Sequence, residues 1–357
     1  MKSEIPVLLG TYTEPLPHVE GRGPGILPCC LDLETGAIRP TGPAIPVRNP
    51  AYLWRNGSLL YATSEISDFE GNEDGSLTVL RINERTIESI QTTSSEGSGP
   101  AWICGEATGR WLLVANYLEG NCKVFSLGEN GSIRESVTSL RFSGSGTDPI
   151  RQDASHPHAI LASPDNRHIY LADLGTDKLV IFDFDEALGA LTTAECSPLD
   201  LPPVSGPRHL LFHPEAELLF VVLELSSELA VFETQASGGS LRLLSQTSSV
   251  PPDTTGNHPS EIALSKDGHH LYMANRGHDS IAHFIIDPGS GSAELRSNTP
   301  CLGRIPRHLA LSPDDSCLLV ANQESDRVVS FHRDPTNGSL QATGQSFDIG
   351  TPCFVLF

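Results

Sequence analysis

Arg208 and His209 head the apolar run "RHLLF", and Glu224 closes the next one, "LLFVVLE". Charged groups at the ends of apolar strands are either solvated loop ends or parts of one site. As one site they have an evident use. A guanidinium grips a carboxylate or phosphate through paired hydrogen bonds, and an imidazole or carboxylate moves a proton. What decides between the two readings is whether the chain brings positions 208 and 224 together, and what joins them there.

The elements that would do so are repeated. A dipeptide ending in proline precedes an apolar run seven times, as "NPAYL", "GPAWI", "HPHAI", "GPRHL", "HPSEI", "IPRHL" and "TPCFV", with prolines at 50, 100, 157, 207, 259, 306 and 352. Most copies continue through a turn, a second run, a polar link, a third run and a hairpin-type turn. "IPRHLALSPDDSCLLVANQESDRVVSFHRDPTNGSL" shows the whole pattern. Short strands, frequent turn signals and a period near 50 residues predict an all-β fold, a seven-bladed β-propeller in one domain over 1–357. The last copy stops after one strand, while "VLLGTYT" near the N-terminus resembles a second run. N- and C-terminal strands should therefore pair in one blade, closing the ring without a free edge.

If runs one and two form a hairpin, the start of the first lies beside the end of the second. The residues after the seven prolines are Ala51, Ala101, His158, Arg208, Ser260, Arg307 and Cys353. The second runs end at Tyr12, Glu65, Tyr117, Leu174, Glu224, Arg276 and Gln323. One mouth of the channel should thus collect His158, Arg208, Glu224 and Arg276 as catalytic candidates. His209, Arg307, Glu65, Tyr12 and Tyr117 join Arg208 and Arg276 as candidate substrate contacts. Asn116, Asn275, Asn322 and Asp173 recur just before the end of run two, which points to a shared structural task at a turn. Asp165, Asp267 and Asp314 read as turn formers, and His213, His269, His270 and His283 as surface or packing residues.

Composition narrows the partners. The net charge of −21 opposes nucleic acid, but a local arginine cluster can still attract a small anion within a screening length of about 8 Å. The eight cysteines form no C-x-x-C pair and suit a reducing compartment better than a disulfide framework. No apolar run is long enough for a membrane span, so a cytoplasmic protein without metal or cofactor is expected. Asn56, Asn130 and Asn337, each in Asn-Gly-Ser, read as tight turns rather than glycan acceptors. The polar stretch 141–158 is the longest insertion.

"SHPHA", "GPRH", "LEL", "ANRGHDSIAHF" and the opening "LLGTYTE" resemble the seven-bladed lactonase family, over essentially the whole chain. That family includes propeller-type 6-phosphogluconolactonases and the fungal 3-carboxy-cis,cis-muconate cyclase. The resemblance implies a metal-independent enzyme that opens or forms a lactone in a small anionic acid. It also implies that the cyclase's site residues fall on His158, Arg208, Glu224 and Arg276. Two departures are plain: Leu223 stands where the family commonly has Asn, and "PLPHVEGRGP" lengthens the first link. Rival readings are a calcium-dependent lactonase drawing on Glu65, Glu224, Asn116 and Asn275, which Arg208 and Arg276 would oppose; a protein-binding propeller; and a diverged enzyme with another small-molecule reaction.

Overall fold

The computed structural model describes residues 4–83, 86–235 and 239–357. Seven antiparallel sheets follow one another around a ring. Blade 1 joins the two ends of the chain. Its inner strand Pro352–Leu356 pairs with Glu4–Thr11, followed outward by Ile26–Asp32 and Ile38–Pro40. Blades 2 to 7 begin with the inner strands Leu53–Asn56, Pro100–Gly105, Pro157–Ala162, Pro207–Phe212, His258–Leu264 and Pro306–Leu311. Inner strands neighbour one another around the channel. The only helical pieces among the described residues are two single turns, Phe69–Gly71 and Gln323–Ser325.

The second strands, such as Leu218–Leu223 and Cys317–Asn322, are buried along their whole length. They are sandwiched between neighbouring blades, so both faces carry Leu, Val and Ala instead of alternating with polar residues. Blades are latched in pairs by buried tyrosines. Tyr61, Tyr170 and Tyr272 donate to the carbonyls of Gly131, Gly239 and Gly338 in the hairpin turns of the next blade, at 2.7, 2.9 and 2.6 Å. Those glycines hold φ of +79°, +69° and +70°, a region that side-chain-bearing residues avoid. Gly131 and Gly338 belong to two of the Asn-Gly-Ser triplets, which are therefore turns with an added anchoring task.

The recurring asparagines stitch each blade to the segment that enters it. Asn116, Asn275 and Asn322 donate to the carbonyls of Ser95, Ser249 and Cys301 at 3.0, 2.9 and 3.0 Å. Asp173 does the equivalent as an acceptor, from the Ser155 hydroxyl and the His156 amide. Leu223 interrupts this series and packs into the core.

Candidate active site

Pairing sets the start of each inner strand against the end of its neighbour: Pro157 faces Asp173, Pro207 faces Leu223 and Pro306 faces Asn322. Directly after the proline the register slips. The irregularity falls at Pro157/Ala159, Pro207/Leu210, Pro259/Ile262 and Pro306/His308, with equivalents at Pro100/Trp102 and in blade 1. A β-bulge re-aims side chains that regular pleating would alternate. Here it sends consecutive residues toward the axis, so that Arg208 with His209, and Arg307 with His308, line one cavity of about 320 Å³.

Glu224 is the electrostatic centre, with its side chain 1% exposed. Three guanidiniums converge on it: Arg151 Nη2 at 2.6 Å from Oε1, and Arg208 Nε and Arg276 Nη2 each at 2.9 Å from Oε2. Burial alone would raise its pKa, but Arg276, Arg151 and Arg208 outweigh burial and hold the carboxyl well below its usual range. Glu224 is therefore an ionised anchor and no acid at neutral pH. Arg208 is buried too. Desolvation and the Arg276 charge lower its pKa, and Glu224 raises it. Arg276 also donates through Nε to the His258 carbonyl at 2.8 Å, which fixes its plane.

A second cluster stands across the cavity. Tyr12 donates to Glu65 Oε2 at 2.6 Å, and Arg307 lies 3.6 Å from the same oxygen with its Cζ 5.0 Å above the Tyr12 ring. Among the described residues the Arg307 guanidinium makes no hydrogen bond, so its donors are free for an incoming anion. His18 reaches within 3.7 Å of Glu65, and burial brings its pKa down to about 4.

His158 lies between the clusters. Its ring meets Tyr117 and His209 edge-on, at centroid distances of 5.4 and 5.1 Å, and Nδ1 is buried without a hydrogen-bond partner. Burial and the nearby Arg208 push its pKa well below the ordinary histidine value. The imidazole is neutral at neutral pH and able to accept a proton. Glu224 does not orient it: both carboxylate oxygens are taken by arginines, and no hydrogen bond joins the two residues among those described.

The cavity brings together His158, His209, Arg208, Arg276, Arg307, Glu65, Glu224 and Tyr117. Tyr12 lies behind Glu65, fully buried, and supports the wall without forming it. Arg151, His18, Tyr52 and His308 also line it and were absent from the sequence reading. Arg151 rides on the long insertion, and His18 on the lengthened first link. Four guanidiniums face two carboxylates across this cavity, leaving two positive charges in a protein of net charge −21.

Residues 6–357 match the family described as lactonase, 7-bladed beta-propeller. The chain belongs to this lactonase family. It is 31% identical over 286 residues to the 6-phosphogluconolactonase of Bacillus subtilis, covering 79% of this chain and 78% of that one. The 6-phosphogluconolactonase of Formosa agariphila is 29% identical, with 83% of each chain covered. The solved periplasmic gluconolactonase of Pseudomonas aeruginosa superposes with a TM-score of 0.90 at 30% identity, covering 99% of both chains. That relative's periplasmic address means that family membership alone does not set the compartment. Among the described residues no helix is long and apolar enough to cross a membrane.

A calcium ion does not fit the donors of this lactonase-family pocket. Calcium takes six or more oxygens, but Glu224 spends both of its on guanidiniums, and the Asn275 carbonyl oxygen accepts from the Ser249 hydroxyl at 2.8 Å. Among the described residues no group of three or more His, Cys, Asp or Glu side chains is placed to hold a metal.

Proposed function

We propose that the pocket hydrolyses the lactone of a small acid that carries a further anionic group, of the 6-phosphogluconolactone kind, without a metal. The observation that carries this reading is the excess of guanidiniums over carboxylates in the lining, four against two, with Arg307 free of hydrogen bonds among the described residues. A phosphomonoester or a dicarboxylate matches it. Arg307 holds the anion. Neutral His158 takes a proton from water as its oxygen adds to the lactone carbonyl, and Arg208 stabilises the tetrahedral oxyanion. The ring C–O bond then breaks, and the imidazolium returns the proton to the departing alkoxide.

The ring-closing direction of a muconate cyclase needs a proton donor to carbon. An ionised Glu224 and a neutral His158 are poor donors, which favours hydrolysis.

The test is initial-rate hydrolysis, above the spontaneous rate, of 6-phosphoglucono-δ-lactone and of uncharged glucono-δ-lactone, each with and without EDTA. The charged lactone should be preferred by about 100-fold in kcat/KM, the worth of one or two charge-assisted hydrogen bonds, and EDTA should change nothing. Equal rates on the two lactones, or inactivation by EDTA, would overturn the reading.

A further inference from the structure

Beneath the arginines lies a second polar layer. The second residue after the repeat proline is apolar or aromatic in four blades and polar in three consecutive ones, where it is His209, Glu261 and His308. The three side chains touch and are all more than nine-tenths buried. Glu261 Oε1 accepts from the Ile262 amide at 2.9 Å and lies 3.2 Å from His209 Nδ1, a close but poorly aligned contact. Oε2 lies 2.9 Å from His308 Nε2, also without hydrogen-bond alignment, so the Ile262 amide is what holds the carboxylate in place. A carboxylate this deep would be costly without such partners.

On its other edge, His209 meets Arg208. Arg208 Nη1 is 2.7 Å from His209 Nε2 and donates to the Ser260 carbonyl at 2.6 Å. A guanidinium nitrogen can only donate, so Nε2 must be the bare, accepting nitrogen. The ring proton then sits on Nδ1, the nitrogen that faces Glu261. Burial would raise the Glu261 pKa, but His209 and His308 draw it well below the carboxylate range, so Glu261 is the acceptor this tautomer requires. Arginine and glutamate therefore select the same tautomer from opposite edges of one ring.

We infer that Glu261 is a positioning residue for the lactone site: it fixes the His209 tautomer and, through it, the Nη1 edge of Arg208. This rests on the reading of Arg208 as the oxyanion donor. Without the carboxylate, His209 can carry its proton on Nε2. Two N–H groups would then confront each other at 2.7 Å, and the guanidinium would turn from its place.

The experiment is a double-mutant cycle with Glu261→Gln and His209→Asn, each checked for folding by circular dichroism. The Ile262 amide keeps the glutamine oxygen on the side of His209, so the variant removes the negative charge and leaves a weaker, neutral acceptor facing Nδ1, which loosens the hold on the tautomer. Glu261→Gln should lower kcat about 10- to 100-fold, a share of what losing an oxyanion donor costs, with KM within about threefold. Added to His209→Asn, it should change kcat less than about twofold, because the residue it acts through is gone. Losses that multiply in the double variant, or a kcat of Glu261→Gln within twofold of wild type, would overturn the inference. A second readout needs no substrate. In protein labelled with 15N-histidine, the His209 resonances, assigned by their loss in His209→Asn, should show a bare Nε2 in wild type and a gain in Nε2 protonation in Glu261→Gln. An unchanged tautomer would overturn the inference even if lactone turnover is robust. If wild type hydrolyses no lactone, the hydrolase reading falls, and the nitrogen shifts still decide this one.

Discussion

The channel has two mouths, built from opposite ends of the same seven strands. At the starts of the inner strands four arginines, two glutamates and several histidines crowd into about 320 Å³. At their ends a wider cavity of about 1060 Å³ is lined largely by apolar side chains such as Trp54, Phe212, Leu264 and Leu311, with Lys266 and Arg55 at its edge. Tyr52 lines both and separates them, stacked on Trp102 at 4.1 Å and edge-on to Phe354 at 4.6 Å. The larger hollow is the less reactive one. What distinguishes the smaller is backbone irregularity: bulges at the strand starts turn consecutive side chains inward, while regular pairing at the strand ends offers every second residue to the axis. Chemistry sits where regular strand pairing is broken, and the break itself recurs from blade to blade.

The strongest way to break this contrast is Glu224→Gln. It leaves the shape nearly unchanged and removes the charge that three guanidiniums share. Stripping one partner from a buried ionic cluster costs about 3–5 kcal/mol, so thermal or urea unfolding should show a loss of that order, together with a collapse of lactone turnover. A variant of wild-type stability would mean that the arginines are already neutralised by something else. The sign of the pH response follows from the same charge. The folded pKa of Glu224 lies below its unfolded value, so its contribution is fully present above about pH 4.3 and is lost as pH falls through the folded value.

His158→Asn comes next. Removing a proton-transfer group costs about 10²- to 10⁴-fold in kcat. Unfolding stability should fall by only about 1 kcal/mol, because the ring loses its contacts with Tyr117 and His209 but Nδ1 has no hydrogen bond to lose. The accompanying pH profile is diagnostic. An unperturbed histidine base would lose activity below about pH 6.5. With its pKa pushed well down by burial and Arg208, His158 should keep kcat/KM level through that value, the acid limb appearing only lower. A limb centred near 6.5 would show that the base is another, more exposed residue.

The ring itself was legible because its signal is repetition. Seven prolines at near-equal spacing reveal the blades, and antiparallel pairing then places the residue after each proline next to the end of the following run. Arg208, Glu224, His158 and Arg276 fall out of that register with no side chain seen. Arg151 does not, because it belongs to an irregular insertion whose course no periodicity describes; its one signal was an arginine in the longest polar segment. His18 escaped for the same reason. Glu261 escaped for a different one. A regular strand sends a single residue per pair inward, so the second position after the proline was taken up only at His209, and Glu261 and His308, which the bulge turns inward as well, were passed over. Leu223 stands where four other blades place Asn or Asp; it packs into the core, and nothing in the structure shows what its blade gained.

The smallest expected effect is the sharpest check on the two-mouth contrast. Lys266 sits at the wide mouth, exposed, and its side chain enters no ion pair among the described residues. If substrate binds only at the charged mouth, Lys266→Ala should leave kcat/KM for a phosphorylated lactone within about twofold, the usual range for an exposed substitution. Long-range steering could mimic a local role, since removing a cation from an acidic protein weakens the pull on an anion everywhere. Salt separates the two. A steering effect fades as the screening length drops from about 10 Å at 0.1 M to about 3 Å at 1 M, whereas a direct contact survives. A tenfold loss that persists at high salt would mean that the substrate enters or leaves past Tyr52, and that the wide mouth belongs to the reaction path.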